Sequence, residues 1–258
     1  MKKNILSIFA LLSMITISGC GNDTSSTVET SSTTSSQKTS SVTSSSEDDA
    51  NKVEYTVQIL LPNGSNAGAD LDVQWCGGPK NQCFTSKTNA SGLATIKLEN
   101  YDYDVHLLKY PETYTCELGY VATTTNRNLT IQFLELNSYL SGEGTKSSPN
   151  MIGVGAYNVT VPTGGEIIYF GFTATETGTY SIESLSSSAL VNPNIGYYGN
   201  DLTNIPDTVV DNILDDDNGY DNNFKLSIEA EANTTYIFGI TATGFSRSKT
   251  FAFNIKKI

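Results

Sequence analysis

The chain has 258 residues, a formal net charge of −12 and a pI of about 4.4. The stretches 21–51, 52–137 and 138–258 are each net negative, so none has the excess of Lys and Arg that neutralises nucleic-acid phosphates. One His and the three Cys other than Cys20 do not, at these spacings, build a closed zinc site.

The first 20 residues have the pattern of an export signal. Lys2 and Lys3 precede 13 uncharged residues, 5–17, a run that is too short to span a bilayer. The residues that follow, Ile17-Ser18-Gly19-Cys20, resemble a bacterial lipobox. The resemblance implies that residues 1–19 are removed and that Cys20 carries a diacylglycerol, which would hold the protein on the extracytoplasmic face of the cell membrane. An ordinary secretory signal, with Cys20 incidental, is the alternative.

Residues 20–51 are predicted to be a lipidated Cys followed by a disordered linker. Of the 23 residues in 24–46, 18 are Ser or Thr and none is aromatic, so the segment has nothing to bury in return for the entropy of ordering. As a coil, the linker has a mean reach of about 30 Å, enough to hold a domain away from the lipid surface. Glycosylation of the Ser/Thr tract stays open.

Residues 52–137 are predicted to form a first β domain. Bulky and polar residues alternate with the two-residue period of half-buried strands, and the runs are separated by turn residues such as Pro62-Asn63-Gly64. The predicted strands are 55–61, 71–76, 83–88, 93–98, 101–108 and 129–136. Short strands at this spacing indicate a β-sandwich.

Several of these segments are similar to the Cna-B-type repeats of bacterial surface proteins. They are Pro62-Asn63-Gly64, the turn at 88–92, and residues 101–107 followed by Pro111-Glu112-Thr113-Tyr114. The resemblance covers residues 53–136 and implies a prealbumin-like fold. It also implies that the internal Lys–Asn cross-link of many such repeats is absent, because Leu107 stands where the promoting Glu would be and Gln58 replaces the Lys.

Residues 138–258 are predicted to form a second, all-β domain after a polar connector at 141–149. Its predicted strands are 151–161, 166–173, 178–185, 194–198, 224–230, 234–243 and 250–255. Residues 167–182 and 192–198, Asp216-Asp217, and Phe224 with 234–237 resemble the pre-peptidase C-terminal domain. This resemblance implies a jelly-roll-like sandwich of a type appended to secreted enzymes and surface proteins.

The cysteines after the anchor are Cys76, Cys83 and Cys116, in a setting that permits disulfides. The turn-rich loop 77–82 can return the chain as a hairpin, so Cys76 and Cys83 are predicted to pair. Cys116 is then left unpaired, as a buried thiol.

Aromatic residues are the candidates for ligand binding. The single His, His106, alternates with Val105 and Leu107 in a strand pattern and has no neighbouring nucleophile, which favours a half-exposed strand residue over a catalytic one. Tyr101 and Tyr103 share a predicted strand face with Val105 and Leu107, which favours burial. The aromatic residues considered as a stacking platform for sugars are Trp75, Tyr101, Tyr103, Tyr110, Tyr114, Tyr120, Tyr197, Tyr198 and Tyr220. Of these, Tyr197, Tyr198 and Tyr220 lie near predicted turns and are the preferred ligand-binding residues.

Calcium is the only cofactor that the sequence suggests. Residues 215–223 hold the densest group of oxygen ligands, and calcium takes six to eight of them in flexible geometry. The spacing is not that of an EF-hand, so a neighbouring loop would have to contribute. The candidate ligands are Asp201, Asp215, Asp216, Asp217 and Asp221. A solvated acidic turn is the alternative.

The sequence thus predicts two β-sandwich domains, prealbumin-like then jelly-roll-like, behind a lipid anchor and a tether. The predicted function is non-catalytic binding or display at the bacterial cell surface, with the membrane as one partner and a glycan or surface protein as another. The alternative is a carbohydrate-binding accessory protein to surface hydrolases. An enzyme would require two carboxylates about 5 to 10 Å apart in a deep cleft.

Overall fold

The computed structural model describes residues 51–163, 166–186, 191–201, 203, 214–215, 219–243 and 247–258. The signal peptide, Cys20 and the linker up to residue 50 lie outside these ranges. The all-β prediction is confirmed, since every regular element in the described residues is a strand. The described part of the chain contains no helix of membrane-spanning length and hydrophobicity.

The strands of the first half are β1 Lys52–Leu60, β2 Asp72–Gly77, β3 Gln82–Lys87, β4 Leu93–Glu99, β5 Tyr103–Lys109, β6 Tyr114–Cys116, β7 Tyr120–Ala122 and β8 Asn128–Asn137. Those of the second half are β9 Asn150–Ile152, β10 Gly155–Val161, β11 Ile168–Thr173, β12 Gly178–Ser184, β13 Asn192–Gly199, β14 Leu214–Asp215, β15 Lys225–Ala230, β16 Thr235–Thr243 and β17 Lys249–Lys257.

The first half is a sandwich of two sheets around one core. A sheet in the order β3-β2-β5-β7 faces strands β4, β1 and β8. Tyr55, Val57 and Ile59 alternate along β1 and are fully buried, as expected for a strand with one face on the core. Trp75 is also fully buried; its ring packs edge-on against Tyr55, and its Nε1 donates to Ser86 Oγ at 3.1 Å. The indole is therefore a core residue with its one polar group satisfied.

The second half has its own core between two larger sheets. Strands β15, β12, β17 and β10 form one layer, and strands β14, β13, β16, β11 and β9 form the other. At the centre, the Phe170 ring lies 5.4 Å from that of Phe238 in a stacked arrangement and 5.0 Å from that of Phe253 edge-on. All three rings are fully buried. Each layer contributes aromatic side chains that interdigitate with those of the other.

Strand β8 belongs to both halves. Its residues 128–132 pair in parallel with Thr56–Leu60 of β1, and its last two residues, Leu136 and Asn137, pair in parallel with Ala156 and Tyr157 of β10. One sheet therefore runs without a break in the order β15-β12-β17-β10-β8-β1-β4. The two cores remain separate clusters of buried residues, one drawn from residues 55–133 and the other from 152–255.

The structure differs from the predicted strands in two respects. It adds the short strands β6, β7 and β14, and it divides the predicted strand 151–161 into β9 and β10 at Gly153 to Gly155, where Gly155 has φ +135°. Tyr101, expected to be buried, is 47% exposed. Strand β5 begins only at Tyr103, so Tyr101 lies in the preceding turn, where its carbonyl oxygen accepts a hydrogen bond of 2.6 Å from the Tyr55 hydroxyl.

Candidate functional site

Strand β6 pairs with β8, the strand that joins the two halves. Tyr114, Thr115 and Cys116 pair with Glu135, Leu134 and Phe133 of β8. Just beyond β6, the Glu117 carboxylate forms an ion pair with Lys256 of β17. We call this region, where β6, β8, β10 and β17 meet, the junction.

Tyr220 also joins the two halves. Its ring centroid is 6.2 Å from that of His106, and its edge lies so close to Gly119 that a Cβ there would meet Tyr220 Cδ2 at 3.0 Å. Partial burial raises the pKa of Tyr220, and the Asp104 and Asp221 carboxylates act in the same direction. The structure therefore places this predicted ligand-binding residue in a packing contact of the junction.

Asn223 holds the turn that carries Tyr220. Its Oδ1 accepts from Ser184 Oγ and from the Ser186 backbone N–H, both at 2.8 Å. Its Nδ2 donates to the carbonyl oxygens of Ser186 at 2.9 Å and Tyr220 at 2.8 Å. Only 2% of Asn223 is exposed, and all four of its hydrogen bonds are made within the protein. In the sequence, Asn223 is only the last residue of the oxygen-rich stretch 215–223, and no local pattern indicated its structural role.

On one side of β6 the junction opens into a cleft of about 580 Å³, which we call the junction cleft. One wall carries two half-buried tyrosines. Tyr114 stacks on Phe133 with centroids 5.5 Å apart and an interplanar angle of 13°, and Tyr110 packs against the same Phe133 ring at 5.5 Å. Both tyrosines are thus fixed by the first core while they line the cleft.

In the rest of the lining, polar side chains stand beside apolar ones such as Leu185, Val191 and Phe251. Asn158 of β10 and Thr250 of β17 lie on the exposed face of their layer, and Thr250 Oγ1 is 2.8 Å from Thr160 Oγ1. Glu112, next to the tyrosines, adds a carboxylate. Among the described residues, the side chains of Asn158 and Glu112 have no hydrogen-bond or ion-pair partner. The described part of the lining includes no Lys or Arg.

Two further depressions differ from the junction cleft in chemistry. A cleft of about 440 Å³ on the other side of β6 contains Glu117 and Glu135. A groove of about 400 Å³ lies between the edge strands β3 and β4 and contains Phe84 together with Lys52, Lys80 and Lys97. Among the described residues, the junction cleft is thus lined by two tyrosines and one carboxylate, the second cleft carries two carboxylates, and the groove carries three lysines and Glu99.

Tyr197 and Tyr198 do not form a platform with Tyr220. Tyr197 stacks on Tyr236 at 6.5 Å beside the second core, whereas Tyr198 contacts Tyr169 at 6.0 Å in a separate small cluster. Burial raises the pKa of Tyr198 to about 12. Its hydroxyl has no hydrogen-bond partner among the described residues. A shared role of these three tyrosines in ligand binding stays a prediction.

The calcium candidates lie partly outside the described residues, which exclude Asp216 and Asp217 and the side chain of Asp215. Asp201 Oδ1 accepts from Thr203 N at 2.9 Å and Thr203 Oγ1 at 2.6 Å, and Asp221 is exposed with φ +54°. In the described ranges, no three His, Cys, Asp or Glu side chains are grouped as metal ligands are. Calcium binding stays a prediction.

Cys76 and Cys83 face each other across β2 and β3 and are joined in the structure, with Cα atoms 4.0 Å apart. Cys116 is a free thiol with 5% exposure. Its burial, together with the nearby Glu117 carboxylate, raises its pKa to about 12. A thiol with so high a pKa is almost entirely protonated at neutral pH and is a poor nucleophile.

No family model matches the chain, and no curated protein matches it significantly. Among solved structures, it is similar to the pre-peptidase C-terminal domain of a Bacillus anthracis collagenase, at 14% identity and a TM-score of 0.31 over 42% of this chain and 94% of that one. A periplasmic inhibitor of g-type lysozyme from Aeromonas hydrophila matches at 15% identity and a TM-score of 0.26 over 41% and 96% of the two chains. The major pilin subunit of Bacillus cereus matches at 10% identity and a TM-score of 0.29 over 80% of this chain and 59% of the pilin. All three TM-scores lie below 0.5, so these similarities assign neither a family nor a function.

Proposed function

We propose that the protein is a lipid-anchored, non-catalytic binding or display protein on the extracytoplasmic face of a bacterial cell membrane. The anchor and address rest on the sequence pattern that ends at Cys20, and the display role rests on the Ser/Thr-rich linker that follows it. The proposed partners are the membrane, through the lipid, and a glycan or surface protein, through the folded part.

The continuous sheet through β8 is the observation that carries the proposal. Residues 128–132 pair with β1, and residues 136–137 pair with β10. The two cores are therefore joined by main-chain hydrogen bonds as well as by the chain segment that connects them. The clefts at the junction are therefore lined in part by strands of one continuous sheet. Fixed clefts between packed elements are where proteins commonly bind ligands.

The environment of His106 supports the non-catalytic part of the proposal. The side chain is half-buried, lies between the buried Val105 and Leu107 along β5, and has the Tyr220 ring as its aromatic neighbour. A catalytic imidazole requires an aligned nucleophile or an orienting carboxylate within hydrogen-bond reach. The contacts of His106 are instead those of a packing residue at the junction.

A metabolic label tests the anchor. Cells that express the full chain are fed an alkyne-bearing fatty acid, and we expect the purified protein to carry the label in wild type and to lose it in Cys20→Ala. Cys116→Ala is the matched control, because it removes the other unpaired cysteine and should leave labelling unchanged. Equal labelling of wild type and Cys20→Ala would contradict the anchor.

Protease treatment of intact cells tests the address. If the folded part is displayed outside the membrane, added protease should remove the linker and release the β region without lysis of the cells. A cytoplasmic protein should stay intact under the same conditions and serve as the control. Complete protection of the linker until the cells, including any outer membrane, are opened would contradict display at the outer surface.

A further inference from the structure

The junction cleft has the chemistry of a site for a neutral carbohydrate. The axial C–H groups of a pyranose carry partial positive charge and pack on the negative face of an aromatic ring, while the hydroxyls around the ring need donors and acceptors. Tyr114 and Tyr110 line one wall, and Asn158, Thr250 and Glu112 bring amide, hydroxyl and carboxylate groups to the same cleft.

The aromatic wall is held in place before any ligand arrives. Tyr114 stacks on the buried Phe133 at 5.5 Å, and Tyr110 packs on the same ring and shares a hydrogen bond with the buried Thr115 side chain. Burial raises the pKa of Tyr110, so its hydroxyl stays protonated at neutral pH. Residues locked in this way lose little conformational freedom when a ligand binds, which favours affinity.

The charge of the lining selects against other ligands. Among the described residues that line the junction cleft there is no Lys or Arg, and the one carboxylic acid is Glu112. The net charge of the chain is −12, so phosphate-bearing, sulfated or acidic polymers meet repulsion with no local cation to offset it. Of the ligands that stack on tyrosine and bond to amides, hydroxyls and a carboxylate, an uncharged sugar fits best.

We infer that the junction cleft binds a neutral oligosaccharide or polysaccharide, with Tyr114 and Tyr110 stacking on sugar rings and Asn158, Thr250 and Glu112 bonding to hydroxyls. The inference rests on the proposed binding function and names its ligand class. It differs from the glycan site predicted from the sequence, because Tyr197, Tyr198 and Tyr220 do not line this cleft.

Isothermal titration of the full chain in detergent with four neutral hexasaccharides tests the inference. The probes are maltohexaose, cellohexaose, mannohexaose and chitohexaose. Each is titrated to about 5 mM, so that a dissociation constant in the millimolar range can be measured. We expect at least one to bind, and we expect Tyr114→Ala to weaken that binding about tenfold. Binding by none of the four would overturn the inference.

Variants of exposed residues separate a lost ligand contact from a lost fold. Asn158→Ala and Glu112→Gln change side chains with no partner among the described residues, so each should weaken binding severalfold and leave the Tm unchanged. Asn100→Ala and Tyr101→Ala are matched controls, because both residues are exposed and neither lines the junction cleft. Binding that is unaffected in both test variants would place the sugar elsewhere and overturn the inference.

The failure of this inference can be told apart from that of the proposed function. Fatty-acid labelling at Cys20 and protease release from intact cells do not involve the junction cleft. A labelled and displayed protein that binds none of the four sugars would refute only the ligand class. A protein that binds sugar but is neither labelled nor displayed would refute the anchor and address and leave the site in place.

Discussion

At the scale of single residues, Asn223 is a buried polar side chain whose hydrogen bonds hold the turn that carries Tyr220. Replacement by Ala removes all four side-chain hydrogen bonds of Asn223 in a site that is 2% exposed. We expect Asn223→Ala to lower the free energy of unfolding by about 2 to 4 kcal/mol in urea denaturation. Asn222→Ala, at an exposed neighbouring position, should stay within about 0.5 kcal/mol of wild type. Equal effects of the two substitutions would contradict this role.

The Cys76–Cys83 pair should be found in the protein isolated from cells. The two residues are directly opposed in the register of β2 and β3, and closing so short a loop stabilises by roughly 2 to 3 kcal/mol in the chain-entropy model. Peptide mapping without reduction should recover these cysteines in one cross-linked peptide, and Cys76→Ala/Cys83→Ala should unfold at lower urea concentration. A peptide that joins either residue to Cys116 would show that the pairing is wrong.

Cys116 should not react with thiol reagents until the protein unfolds. Burial raises its pKa to about 12, so native protein at pH 8 should react with no equivalent of Ellman's reagent and unfolded protein with one, while Cys116→Ala should react with none in either state.

The same shift in the pKa of Cys116 predicts that the stability of the fold depends on pH. A thiol whose pKa is raised by folding supports the folded state below its ordinary pKa of 9.0 and loses that support as the pH rises toward 12. In urea titrations above pH 9, the free energy of unfolding of wild type should therefore fall by up to about 1.4 kcal/mol more per pH unit than that of Cys116→Ala.

At the scale of elements, the contact between Gly119 and Tyr220 can be measured with a matched glycine. Gly119 and Gly64 both have positive φ, +76° and +81°, but a Cβ at Gly64 meets nothing within 4 Å whereas one at Gly119 meets the Tyr220 ring at 3.0 Å. Gly64→Ala should cost about 1 kcal/mol from backbone strain alone, and Gly119→Ala should cost more. In a Tyr220→Ala background the excess should disappear, as measured by a double-mutant cycle in urea. An excess that persists would show that the ring is not its cause.

The alternation of bulky and polar residues predicted the long strands, because a period of two can be recognised only over about four or five residues or more. Strands β6, β7 and β9 have three residues each, and their pairing is set by distant partners such as Phe133 opposite Cys116. The strand pairing between the halves consists of two residue pairs, Leu136 with Ala156 and Asn137 with Tyr157, in a register that no local pattern encodes. The junction cleft follows from that pairing. For this reason the sequence analysis included Tyr110 and Tyr114 among the candidate aromatic residues but could not identify them as a pair that lines one cleft.

At the scale of the whole molecule, the shared strand predicts joint unfolding. Because β8 supplies Ile131 and Phe133 to the first core and pairs with β10 of the second half, loss of either core removes support from the other. Calorimetry should show one transition with equal calorimetric and van't Hoff enthalpies. Val57→Ala in the first core and Val159→Ala in the second, both at fully buried sites, should each lower the temperature of that single transition. Two separate transitions, each sensitive to only one substitution, would contradict it.

The parallel pairing of β1 with β8 has a mechanical consequence. The chain enters the fold at Lys52, the first residue of β1, and passes to the second half through the end of β8 at Asn137. Tension between a tether at the start of β1 and a ligand held beyond the end of β8 pulls these parallel strands in opposite directions along their length. The hydrogen bonds between 56–60 and 128–132 are then loaded together in shear, so they must break at once and cannot open one after another. With the chain anchored at Cys20, as proposed, a pulling load would load these hydrogen bonds in shear.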